Sequence, residues 1–229
     1  MTDKKNNKGV ITMKKLILFT IVILFASIGL FGTISFNYSP IAYDGEDSSN
    51  KAISNNQIDT LVVLGAGHFL KSHSDFLLFL SKVEIAELSG ANFEELLDIL
   101  ISVISSMENA KTTYYDLKNL AALTPYNQAV LDKLKNFDYD SFLEEKGNLN
   151  SFVFKKVKGF LSSGDVTGAY AEMSSYLDDL LKILQTLRQG IAKNIFPEIS
   201  GLWELNQKYS NALFFGQYVA IIFKAIQSR

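Results

Sequence analysis

The chain of 229 residues is long enough for one domain with a sizeable core and too short for two large ones. Hydrophobic residues at 48% against 20% charged exclude a mostly disordered chain, and only 3 prolines suit long uninterrupted helices. The absence of cysteine excludes disulfides, thiolate metal sites, a lipidated cysteine and cysteine nucleophiles. The formal net charge of -2 hides an asymmetry: Lys4, Lys5, Lys8, Lys14 and Lys15 gather at the N-terminus and leave the body more acidic than the whole. An acidic body argues against nucleic acid as a partner.

Leu16–Phe36 reads LILFTIVILFASIGLFGTISF, without a charge, directly after Lys14-Lys15. About 20 apolar residues in a helix span a bilayer core of about 30 Å. With lysines on its N-terminal side only, residues 1–15 are expected in the cytoplasm and the chain after residue 36 outside it. Two forms of this segment fit: a retained transmembrane anchor at the cell membrane, or a signal peptide cut near Ser27-Gly29 or Thr33-Ser35, which leaves a periplasmic or secreted body. Either Met1 or Met13 can serve as the start. Residues 37–55, with Pro40, Gly45 and Ser48-Ser49, read as a flexible tether.

Residues 56–229 carry periods of three and four and no run of period two. A helix over about 57–87 aligns Ile58, Val62, Gly65, Phe69, Ser72, Phe76, Phe79, Val83 and Ala86. A second over about 93–122 aligns Phe93, Leu96, Leu100, Val103, Met107, Ala110, Tyr114, Leu117 and Ala121. A third over about 166–193 aligns Val166, Tyr170, Met173, Leu177, Leu180, Leu184, Leu187 and Ile191. A fourth over about 198–227 aligns Leu202, Leu205, Tyr209, Ala212, Gly216, Val219, Phe223 and Ile226. Sustained heptad spacing is the pattern of helices that pack at small crossing angles. Asn92 with Glu95 forms a capping signal, Gly90 and Gly164 stop the preceding helices, Asp165 caps the third, and Pro197 opens the fourth. Short connections force antiparallel neighbours. The expected fold is all-α: an antiparallel four-helix bundle of two long helical hairpins, preceded by the N-terminal membrane segment.

Residues 123–164 separate the hairpins. Thr124-Pro125 is expected to open a short helix to about Asn136, followed by helical stretches over 137–146 and 150–161. With Tyr126, Phe137, Tyr139, Phe142, Phe152, Phe154 and Phe160, this insert reads as a helical cap over one end of the bundle.

No motif in the chain carries a recognisable chemistry. His68 and His73 are the only histidines, five apart and on different helix faces, and no E-x-x-H occurs. They read as surface or helix-flank residues, with no metal site, no cofactor and no catalytic residue expected. Ser72, Ser74 and Asp75 adjoin them but lie too close along one helix to form a hydrolytic triad. No phosphate loop, nucleophile elbow or dinucleotide fingerprint is present. Gly65, Ser72 and Gly216 place small residues on the seams, where they permit close helix approach or line a cavity for a small apolar ligand. Lys155, Lys156 and Lys158 beside Phe152, Phe154 and Phe160 read as a solvated basic face over buried aromatics, with a membrane or acidic partner as the alternative. Phe214, Phe215, Ile221 and Ile222 widen the apolar face of the last helix beyond its seam, which marks a candidate interaction surface. The layout resembles extracytoplasmic helical-bundle sensing modules without sharing a motif with them. The expectation is therefore a membrane-tethered extracytoplasmic interaction or assembly module with a protein partner or self-association, and alternatively a carrier or sensor of a small apolar ligand.

Overall fold

A computed structural model describes residues 55–227 apart from 124, 125, 127 and 147–149. The membrane segment 16–36 and the tether 37–55 fall, but for residue 55, outside the described residues. Among the described residues every regular element is a helix and no strand is present. The helices are α1 (Asn55–Ser89), α2 (Phe93–Leu123), α3 (Gln128–Lys135), α4 (Tyr139–Lys146), α5 (Ser151–Ser163), α6 (Val166–Ile191) and α7 (Ile199–Gln227).

Local chemistry sets these ends. Gly90 sits at φ +95 and its N–H returns to the Ala86 carbonyl at 2.9 Å, which closes α1. The Asn92 side chain accepts the Glu95 N–H at 3.2 Å and starts α2. The Glu95 carboxylate does not complete the capping box but pairs with Lys82 of α1 at 2.6 Å. Gly164, at φ 80, ends α5 while the Asp165 N–H reaches back to Phe160 at 2.9 Å. Asp165 then accepts the Gly168 N–H at 2.7 Å and opens α6.

Pro197 departs from its expected place. The turn after α6 carries Asn194 at φ 57 and bonds Ile195 N–H to the Gly190 carbonyl at 3.0 Å, which lengthens the connection to residues 192–198. The first helical bond of α7 runs from Leu202 to the Glu198 carbonyl, so Pro197 lies before the cap.

The long helices pack α1 on α2, α2 on α6, α6 on α7 and α7 on α1. Ser72 faces Val103, Lys82 faces Glu95, and Gly65 lies against Thr113 and Tyr114, so α2 runs back along α1. The seam residues Phe69, Phe76, Phe79, Val83, Leu96, Leu100, Val103, Met107, Leu177, Leu180, Leu184, Leu202 and Leu205 are all buried. At roughly 1.5–3 kcal/mol per large apolar side chain, this seam supplies the main favourable term of folding.

The insert does not cap an end. Helices α3 and α5 lie along the flank of α7's second half: Asn150 donates to Asn211 at 2.9 Å, Phe154 meets Tyr218 edge-on, Phe160 meets Phe215 edge-on, and Lys133 donates to the Ile226 carbonyl at 3.2 Å. The cause is the breadth of α7's apolar surface, which two long neighbours leave uncovered and the amphipathic face of α5 fills with Val153, Phe154, Val157 and Leu161.

Candidate functional sites

A buried polar relay crosses the core where α1, α2 and α7 meet. Ser72, wholly buried, donates to the Val103 carbonyl at 2.9 Å and lies 3.0 Å from the Tyr209 hydroxyl. The Tyr209 ring stacks on Phe76 at 4.9 Å, on His73 at 5.2 Å and on Phe69 at 5.8 Å. His73 Nε2 lies 3.3 Å from Asn206 Oδ1. A carbonyl oxygen only accepts, so this contact sets Nε2 as the protonated nitrogen of the neutral ring. Burial lowers the His73 pKa below its ordinary value, and the bond to Asn206 partly opposes that shift. Burial likewise raises the Tyr209 phenol.

His73 was expected on a helix flank and is instead a core residue. Together with Leu80 it forms a second inward row of α1 beside the Ser72 and Phe76 seam, on the side that meets α7. His68 is half-buried on another face. Asp75 is engaged by Lys71 at 2.6 Å and by Ser102 at 2.8 Å, away from both histidines. Among the described residues no three His, Asp or Glu side chains gather closely enough to hold a metal ion.

Gly65 and Gly216 approach opposite parts of Tyr114. A Cβ at Gly65 would lie 3.2 Å from Tyr114 Cε2 and 3.3 Å from Thr113 Cγ2, and one at Gly216 would lie 3.8 Å from the Tyr114 hydroxyl and 3.7 Å from Met173 Cε. Ser72 spends its hydroxyl on the relay. Close packing fills the neighbourhood of Gly65, Ser72 and Gly216, and burial pushes the Tyr114 pKa up to about 12.

On α7, Phe215 and Ile222 are wholly buried and so cannot form the exposed surface expected of them. Phe215 packs against Phe160 of α5 and Tyr176 of α6. Phe214 and Ile221 are half-buried, and Phe214 stacks on Tyr218. The basic patch of α5 is partly neutralised: Lys156 pairs with Glu172, and Lys158 with Asp140 at 2.8 Å. Phe152 is exposed, whereas Phe154 is buried.

Two other surfaces stand out. The outer face of α1 carries Leu64, Gly67, Lys71, Ser74, Leu78, Ser81 and Ile85, all exposed and all in three-four spacing. The helix thus bears a second heptad row opposite the one in the core, with Leu64, Leu78 and Ile85 each about half exposed (48%, 49% and 56%). Separately, a groove of about 400 Å³ lies between the end of α6 and the start of α7, lined by Ile183, Leu187, Pro197, Gly201, Leu202 and Leu205, with Lys182 and Glu198 also on its walls. Among the described residues no helix is long and apolar enough to cross a membrane, the apolar stretch of α7 included.

No protein-family model, no curated protein and no solved structure matches this chain.

Proposed function

We propose that this chain is a membrane-tethered extracytoplasmic interaction or assembly module, its body an antiparallel four-helix bundle of two hairpins with a laterally docked insert. The anchor is the charge-free run Leu16–Phe36, joined to the body by the tether 37–55, with its lysine-rich end in the cytoplasm and the body outside, or periplasmic or secreted after cleavage. The observation that carries the reading is the outer heptad row of α1. A helix that holds large apolar side chains exposed opposite its core face is suited to present them to a partner. The ring of contacts α1–α2–α6–α7 supports the bundle, because each long helix has two long neighbours.

The test is co-purification of the full chain from its membranes in mild detergent, with Leu78→Glu combined with Ile85→Glu as the comparison. The native chain should carry a stoichiometric protein partner or migrate at a multiple of its own mass. The double variant should lose it with helicity unchanged, and retention by that variant removes α1 as the interaction face.

A second reading, a carrier of a small apolar ligand, rests on the groove between α6 and α7, whose volume falls within the roughly 300–1,000 Å³ of small-molecule sites. A Cβ at Gly201 meets nothing within 4 Å. Gly201→Leu should therefore fill the groove without harm to the fold. Loss of a co-purifying lipid or small molecule in that variant supports the carrier, and an unchanged small-molecule content removes it.

A further inference from the structure

We propose that the outer row of α1 pairs with the same row of a second copy of this chain, the two helices running antiparallel. This names the partner of the interaction module proposed above and rests on that reading.

The argument lies in the order of side-chain sizes. One heptad position holds Leu64, Lys71, Leu78 and Ile85; the other holds Gly67, Ser74 and Ser81. In a parallel pair equivalent positions meet. Lys71 would then face the Lys71 of the second copy, a like-charge contact at the seam, and Gly67, Ser74 and Ser81 would face their own equivalents and leave holes. Reversal of one helix exchanges the two positions, so Lys71, Leu78 and Ile85 each meet a small residue, while Leu64 falls opposite Leu88. Leu78 lies over Ser74 of the second copy, Ile85 over Gly67, and Lys71 over Ser81, and each contact occurs twice about the two-fold axis. The space above Gly67 is open, with nothing within 4 Å of a Cβ placed there, so it can admit the Ile85 side chain. Asp75 flanks the axis in both copies, but each carboxylate is already held by its own Lys71 and Ser102. A foreign helix would need both sizes in the complementary order; this chain supplies that order itself.

The footprint sets the strength. From Leu64 to Ile85 the helix runs about 32 Å at about 10 Å width, or about 320 Å² per copy. The total of about 640 Å² falls below the roughly 1,200 Å² of stable interfaces. The pairing is weak between freely diffusing bodies and becomes populated when a common membrane raises the local concentration of both.

The cysteine-free chain makes the test direct. Full-length chain carrying Gly67→Cys together with Ile85→Cys is oxidised in its native membranes and resolved by mass under non-reducing conditions. The two cysteines lie about 27 Å apart along one helix, which forbids a bond within a chain. The expected result is a species at twice the chain mass in the double variant and in neither single variant, with loss of that species when Leu78→Glu is added. Lys71→Cys with Ser81→Cys, at two solvent-facing positions, repeats the test without touching an apolar side chain. Doubling of mass in a single variant overturns the antiparallel register. An adduct of another mass overturns the second copy as partner and leaves the interaction module standing. No adduct in either pair, with helicity retained, overturns pairing at this face, while co-purification decides the broader reading separately.

Discussion

Tyr209 donates its phenolic hydrogen to Ser72 Oγ at 3.0 Å and so ties the last helix to the first. The direction follows from the one hydrogen of Ser72, which is committed to the Val103 carbonyl at 2.9 Å. The two hydroxyls are therefore unequal. Tyr209→Phe removes a donor and leaves Ser72 its own bond, for a loss of about 1 kcal/mol. Ser72→Ala strands a buried phenol and should cost about 1–3 kcal/mol. Urea unfolding of both single variants and the double variant checks this: the serine change should be the larger, with a coupling of about 0.5–3 kcal/mol. Additive effects would show that the relay is not a unit.

Acidification should weaken the fold through His73. Its pKa in the folded state lies below the ordinary value of about 6.5, because burial disfavours the imidazolium. The unfolded chain therefore binds the proton first as pH falls. Stability is complete above about pH 6.5 and declines below it, down to the folded-state pKa. Glu84, held above the usual carboxylate range by burial and by Glu87, acts in the opposite sense around its own lower pH window. Urea midpoints measured from pH 7.5 to 5 should fall in the native chain and flatten in His73→Gln. An equal slope in both assigns the decline to other groups.

The glycines should separate by the room above them. Gly216→Ala places a methyl at ordinary contact distance from Met173 and Tyr114, so the gain in helix propensity, about 0.5–1 kcal/mol, should appear as added stability. Gly65→Ala brings a methyl to 3.2 Å from a buried ring and should return no such gain. Thermal unfolding of the pair gives the comparison, and an equal rise in both would contradict the packing around Tyr114.

Gln217 is buried, and among the described residues its Nε2 has no hydrogen-bond partner. An orphaned buried donor costs about 1–3 kcal/mol. Gln217→Met, similar in volume and without the amide, should raise the urea midpoint. A fall would mean that the amide is satisfied within the folded chain.

The long helices were legible because each holds one heptad row over its full length, and Asn92 and Asp165 announce their caps in residue type alone. The excess apolar breadth of α7 was equally visible in Phe214, Phe215, Ile221 and Ile222. Its cover was not, because the thirteen-residue α5 can dock on any apolar face within reach, and only the assembled bundle selects the flank of α7. The burial of His73 was hidden for a related reason: a helix between two neighbours buries two adjacent rows, and a single-row reading leaves the second on the flank. The outer row of α1 is masked in sequence by Lys71, Ser74 and Ser81, whose polarity hides a regular alternation of size. Pro197 misled because Asn194 adopts a left-handed turn that postpones the helix.

The contacts of Tyr209 and Asn206 also join elements far apart in the chain. Helices α1 and α2 share a tight connection at Gly90–Asn92 and can meet as soon as both are made. The Ser72 hydroxyl has its acceptor on α2, whereas the ring of His73 and the apolar face of α5 take their partners from the 29-residue α7. Without α7, His73 and the apolar face of α5 would meet solvent in place of Asn206 and Tyr218. One helix thus keeps both the polar contact of His73 and the aromatic packing of α5 out of water.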